Sequence, residues 1–223
     1  VIFQQLQVWL DPVERPGPEA MAVDEWLLET AVAPVLRVYQ WQGEWATLGY
    51  FGDLAPARNS LPGVNWVRRW TGGGVVDHRA DWTYSLVAPS GEALAVWRGA
   101  ESYRQIHEAL VAALRDQHCG LRLSAGEAQT GAAMCFDNPV SHDLVASDGR
   151  KLAGAGQRRT RHGLLHQGSV ALACCGAESL QRSTSLAAGL AASWELRDFQ
   201  VPQAHISRRV SQRYANPAWT CRR

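Results

Sequence analysis

The chain has 223 residues, 46% of them hydrophobic and 19% charged, with a formal net charge of +1. That length suits one domain with a sizeable core, and the near-neutral balance gives no electrostatic footing for a nucleic-acid partner. No apolar run reaches membrane-spanning length, and the first residues lack a basic stretch followed by an apolar one, so no membrane role and a cytoplasmic location are expected.

In chain order, Val1 to Trp9 alternates weakly and predicts a strand, and the proline-rich Asp11 to Pro18 a loop. From Glu19 the spacing of Met21, Val23, Trp26, Leu27 and Thr30 predicts an amphipathic helix, which Pro34 ends. Val35–Trp41 is a β-rich run, and Trp45–Phe51 reads as its hairpin partner, with Gly43 to turn the chain. Within the first of these, Arg37 is either a site residue or a surface arginine covering its stem. A polar loop with Pro56 and Pro62 leads to a strand over Asn65–Trp70, and Thr83–Val87 returns as another. Ser102 to His118 is helical by its apolar spacing, with Ser102 and Gln105 as a capping-box pair and Gly120 closing the end. Its histidines, His107 and His118, are expected at the surface. After a short strand at Leu121–Leu123, periodicity is lost from Ser124 to Met134. Asp143–Ala146, the turn Ser147-Asp148-Gly149 and Arg150–Gln157 form a hairpin from whose returning strand Lys151 projects. Gly163–Leu172 is a further strand, and helices near residues 177–190 and 203–214 finish the chain.

Between the strands at Asn65–Trp70 and Thr83–Val87 lies Arg68-Arg69-Trp70-Thr71-Gly72-Gly73-Gly74-Val75-Val76-Asp77-His78. Three successive glycines permit a positive φ or a close approach to the backbone. Two arginines bring forked donors suited to carboxylate or phosphate, and glycine N–H groups can form an anion nest. The same residues also read as an ordinary glycine-rich turn; they match neither a Walker A loop nor a dinucleotide fingerprint.

Five cysteines, Cys119, Cys135, Cys174, Cys175 and Cys221, lack CxxC spacing, which argues for reduced thiols rather than disulfides or structural zinc. Four of them read as small buried hydrophobes. Cys135, in an irregular loop, is either another such residue or a nucleophile. The 22 basic residues comprise 21 arginines and one lysine, Lys151, which is expected where a guanidinium will not serve. His162 and His166 are four apart, but in loop and strand that spacing does not make a metal pair.

The glycine stretch, followed by Thr83-Tyr84-Ser85, resembles the signature of the lipoate–protein ligase and octanoyltransferase family, relatives of biotin protein ligase. Met21–Leu28 is similar to the family's opening helix, Lys151-Leu152-Ala153-Gly154-Ala155-Gly156-Gln157 to its lysine motif, and His166-Gln167-Gly168-Ser169 to its following strand. Cys135-Phe136-Asp137-Asn138-Pro139 resembles only the octanoyltransferases that keep a cysteine before the lysine hairpin. The family's Tyr/Asp-Glu/Asp-Leu/Ile segment appears here as His142-Asp143-Leu144, and the chain stops soon after Trp219, without the small C-terminal domain of full ligases.

The resemblance implies a single α+β catalytic domain over residues 1–223, with a mixed, largely antiparallel sheet flanked by helices. It implies Cys135 as nucleophile and Lys151 as the central site lysine. Arg68, Arg69, Gly72, Gly73, Gly74, Val75, Val76 and His78 would line the acyl and headgroup pocket. Ala153, Gly154, His166 and Gly168 would pack against the substrate chain. The implied activity is transfer of an octanoyl group from acyl carrier protein to a lipoyl-domain protein, such as the glycine cleavage H protein, by a monomer without cofactor. An ATP-dependent ligase, needing ATP and Mg2+, and a non-catalytic acyl- or lipoyl-domain-binding homologue are the alternatives.

Overall fold

Continuous burial along the central strands sets the architecture: successive side chains of a strand point to opposite faces, and both faces here carry apolar residues. The computed structural model describes residues 1–118, 120–126 and 135–222, except for the side chain of Cys135. Cys119 and positions 127–134 of the expected loop lie outside the described residues.

The strands are β1 (Phe3–Leu10), β2 (Val35–Tyr39), β3 (Trp45–Leu48), β4 (Asn65–Arg68), β5 (Val76–Asp77), β6 (Trp82–Pro89), β7 (Arg122–Leu123), β8 (Leu144–Val145), β9 (Lys151–Thr160), β10 (Gly163–Val170) and β11 (Ala191–Leu196). Eight of them form one sheet in the order β11-β1-β2-β6-β10-β9-β8-β7, and β4-β3-β5 form a second. In the large sheet β11, β1 and β2 run parallel and the remaining pairs antiparallel. The helices are α1 (Gly17–Thr30), α2 (Leu54–Ser60), α3 (Ala93–Val96), α4 (Gly99–Leu114), α5 (Gly176–Leu190), α6 (Gln203–Arg209) and α7 (Pro217–Thr220). One face of the sheet packs Leu36, Leu86 and Leu164 against Ile106 and Leu110 of α4 and Leu186 of α5. The other packs Val35, Val87 and Leu165 against Met21 and Leu27 of α1 and Ile206 of α6. This is the expected α+β layering. Among the described residues, no helix is long and apolar enough to cross a membrane.

Several local expectations give way to tertiary structure. The expected hairpin between Val35–Trp41 and Trp45–Phe51 does not form, because β1 and β6 already occupy both edges of β2. Instead β3 leaves the large sheet and pairs with β4 and β5. The polar loop contains α2, capped by Asp53, whose carboxylate accepts from Ala55 N, with Pro56 in the tolerated first turn. Helix α4 starts at Gly99, so Ser102 lies inside it and donates to the Gly99 carbonyl and to Gln157 rather than capping. His107 is fully buried instead of exposed. The last expected helix is α6 continued by a π-helical turn, Val210–Tyr214. Strand β11, unforeseen, extends the sheet beside β1. Cys175 and Cys221 are exposed, not buried, because they sit at helix ends, Cys175 as the N-cap of α5 and Cys221 as the C-cap of α7, and Cys174 is half-buried.

Candidate active site

A cleft lies where the small sheet closes over the large one, a concave setting of the kind small-molecule sites use. It crosses four neighbouring strands, lined by Tyr39 at the β2 end, Thr83 from β6, Gln167, Gly168 and Ser169 from β10, and Gly154, Ala155 and Gly156 from β9. Trp41, Thr47, Arg69, Val76, His78 and Met21 complete the wall.

The glycine stretch lies against the β9 wall of this cleft, where a Cβ on Gly156 would lie 2.4 Å from the Gly72 carbonyl oxygen. Arg69 donates to the carbonyls of Gly72 (2.8 Å) and Gly74 (2.8 Å) and to Thr47 Oγ1 (2.9 Å). Gly73 has φ +97, and a Cβ there would lie 2.8 Å from the Arg69 guanidinium, so both backbone angle and space call for glycine. Arg69 is thus a lining residue that is also the loop's internal tie. Behind it, Thr71 donates to Gln167 (2.7 Å), and Gln167 donates to Asp24 of α1 (2.7 Å). Asp24 also accepts from Ser85 (2.8 Å) and from Arg37 (2.6 Å). Arg37 is therefore a buried structural cation, shared between Asp24 and Asp11, and not a surface arginine. Burial, reinforced by Asp24, pushes the Tyr39 hydroxyl well above its ordinary range, so it stays protonated at the cleft wall.

At the β2 end, the His78 ring stacks on Trp41 at 4.2 Å. Its Nε2 lies 2.9 Å from Thr47 Oγ1 and its Nδ1 2.7 Å from Asp81 Oδ2. Thr83 and Ser169 donate to the same Asp81 oxygen. His78 is thereby pinned as a wall of the cleft.

At the β9 end stands Lys151, 3% exposed. Its Nζ is 2.6 Å from Asp143 Oδ2. The lysine side chain folds over Gly154, where a Cβ would lie 2.7 Å from Nζ; any larger residue would displace the amine. A 3-10 turn, Cys135–Asp137, brings the Phe136 ring to 5.9 Å from Nζ. Cys135 opens that turn, and its side chain lies outside the described residues.

Of the residues expected at the site, Arg69, Val76, His78, Gly154 and Gly168 line the cleft, Lys151 stands beside it, and Gly72, Gly73 and Gly74 lie next to it, tied to the lining Arg69. The others are corrected. Arg68, fully buried, turns away and donates to six backbone carbonyls: Gly49, Tyr50, Gly52, Trp219, Thr220 and Arg222. Val75 packs with Leu48, Leu54 and Ala57. Ala153 points into the core on the α4 side, one residue out of phase with Gly154. His166 faces that same side, 3.2 Å from Tyr84 OH and 3.1 Å from Gln157. Burial depresses the imidazoles of His166 and His107, that of His107 to about 4, so both are neutral at neutral pH. The sequence reading missed Tyr39, Trp41, Thr47, Gln167 and Asp143. For Gln167 the signal was its parity with Ser169 on β10, and for Asp143 the acid that begins the lysine hairpin.

The chain matches the lipoyl protein ligase A/B catalytic domain over residues 16–188. It is 34% identical over 178 residues to the octanoyltransferase LipM of Symbiobacterium thermophilum, covering 73% of this chain but 64% of that protein. The chain therefore spans less than two thirds of that relative. A T. acidophilum protein with bound lipoic acid shares the fold at TM-score 0.72 and 18% identity, covering 99% of both chains. Lipoate-protein ligase A bound with ATP shares it at TM-score 0.69 and 18% identity, covering 98% of both. By the extent of the domain match, the chain belongs to the lipoyl protein ligase A/B catalytic domain family.

Proposed function

We propose that the chain is an octanoyltransferase, moving an octanoyl group from acyl carrier protein to a lysine of a lipoyl-domain protein through a thioester on Cys135. The observation that carries this reading is the placement of Lys151. The one lysine of the chain is buried and ion-paired at the end of a cleft, beside the turn that begins with Cys135. Similarity to an octanoyltransferase over 178 residues supports the acyl class.

In this reading the Cys135 thiolate attacks the carbonyl of the octanoyl thioester. The carrier's thiolate leaves and takes up a proton, and octanoyl-Cys135 remains. The fixed cation of Lys151 stabilises negative charge developing next to it, in a site with little water. The acceptor lysine, as a neutral amine, then attacks the enzyme thioester. An amide forms, the Cys135 sulfur leaves as thiolate, and the amine's proton passes to it or to solvent. Thioester energy drives amide formation, so neither ATP nor Mg2+ is consumed, and Cys135 supplies the covalent step.

The test is intact mass after incubation with octanoyl-acyl carrier protein. The expected outcome is one octanoyl adduct, absent in Cys135→Ser, that transfers to a lipoyl-domain acceptor. Octanoyl-adenylate from ATP, Mg2+ and free octanoate, with no adduct, would instead establish the ligase reading. Neither product would leave a binding homologue.

A further inference from the structure

Lys151 carries its amine on a flexible four-carbon stem, which a strand alone does not fix. What fixes it is a closed chain of polar contacts between three elements. Lys151 Nζ meets Asp143 Oδ2 at 2.6 Å, with both side chains buried. Tyr103 of α4 donates its hydroxyl to Asp143 Oδ1 at 2.5 Å, and the Tyr103 hydroxyl oxygen in turn accepts from Ala155 N at 2.8 Å. Ala155 follows Gly154, the residue over which the amine lies. Asp143 is held further by Val140 N, which donates to Oδ2 at 2.7 Å, and its carbonyl accepts from Ser124 N. Just before it, His142 has φ +70, the one positive φ at a non-glycine among the described residues, and its carbonyl accepts from His107 Nδ1 at 2.7 Å. A residue in that region costs free energy, and the surrounding contacts hold it there.

We infer that Asp143, backed by Tyr103, is the positioning residue that holds the Lys151 amine over Gly154, tying amine, carboxylate, phenol and strand backbone into one ring. Its catalytic meaning rests on the transfer proposed above. Among the described side chains, the titratable groups around the amine are Asp143 and His142 from the segment before β8 and Tyr103 and His107 from α4, with His166 of β10 behind His107. His107 and His166 are neutral at neutral pH, so the described countercharge is Asp143.

The experiment uses Lys151 as its own reporter, since no other residue of the chain carries an ε-amine. The intact protein and its Asp143→Asn and Tyr103→Phe variants are treated with trinitrobenzenesulfonate across pH 6–10, and labelling of the Lys151 peptide is followed by mass spectrometry. Octanoyl transfer is measured alongside. In Asp143→Asn the labelling rate at pH 7 is expected to rise by about tenfold or more, because a buried ammonium without its countercharge is disfavoured. The kcat of transfer falls while KM stays roughly constant. Tyr103→Phe keeps the ring that packs at 4.1 Å on His107 and shifts both readouts the same way by less. Asp143→Glu, which keeps the charge, recovers slow labelling. Unchanged labelling and kcat in Asp143→Asn and Tyr103→Phe, even with a lowered Tm, would overturn the proposal and leave Asp143 structural. Labelling that responds as expected in a protein showing no acyl transfer would sustain the positioning and refute the transferase reading.

Discussion

At the scale of single residues, the side chains that matter are those whose protonation or shape has been fixed by burial. His107 illustrates the first. Burial drives its imidazole from an ordinary value of 6.5 down to about 4. A group whose folded value is depressed takes up protons in the unfolded chain first, so its stabilisation is full above pH 6.5 and is lost as pH falls from 6.5 towards 4. A shift of that size corresponds to on the order of 3 kcal/mol, and His166 acts in the same direction. We therefore expect Tm to fall steeply between pH 6.5 and 4, and His107→Gln to flatten that limb; an unchanged slope would mean that another group drives acid unfolding. Which residues reach the cleft was only half legible for a related reason. On a strand, a shift of one position moves a side chain to the other face. Motifs mark His166 and Ala153 as substrate contacts, but their parity sends both to the α4 side, while Gln167 and Gly154 face the cleft.

At the scale of elements, the cleft is a product of which strands are neighbours. Crossing from β9 to β2 takes three interstrand steps, about 14 Å. An eight-carbon chain, with bonds of ~1.5 Å in a zigzag, spans about 9 Å, and van der Waals contact at its end adds ~4 Å. The stacked Trp41 and His78 close the β2 end, and both also line a larger outer cleft. Under the proposed transfer, Trp41→Ala should join the two spaces. Its kcat/KM for acyl carriers of ten or twelve carbons, relative to octanoyl, is expected to rise by about tenfold. An unaltered chain-length profile would place the end of the acyl chain elsewhere. None of this was readable locally, since the sequence pattern predicts a β2–β3 hairpin. Only the occupancy of both β2 edges sends β3 away to roof the cleft.

At the scale of the whole molecule, Arg68 joins the glycine stretch to the end of the described chain. Its guanidinium ties β4 to the carbonyls of Trp219, Thr220 and Arg222, and Trp219 Nε1 returns a bond of 2.8 Å to the Arg68 carbonyl. The partners are more than 150 positions away in the sequence, which is why the doublet Arg68-Arg69 reads as a pair of ligand-binding cations when only one of them faces the cleft. Arg68→Ala leaves several buried carbonyls unpaired and is expected to cost about 3 kcal/mol, or roughly 6–12 °C in Tm. It should also expose the segment from α7 onward to limited proteolysis. Arg68→Lys should not restore it, because an ammonium has three donors for six acceptors. A normal Tm with a raised KM would return Arg68 to the substrate pocket.

The burial of Lys151 has one more consequence, for the molecule as a chemical target. A protein proposed to carry an activated acyl group, and to hand it to lysines of other proteins, is itself a crowd of potential acceptors. Here the surface cations are arginines, whose guanidinium groups stay protonated and do not acylate at neutral pH. The one ε-amine of the chain is buried and held against Asp143. Under the proposed transfer, discrimination between self and substrate is then built into composition and a single ion pair, since this sequence offers the thioester no exposed ε-amine of its own.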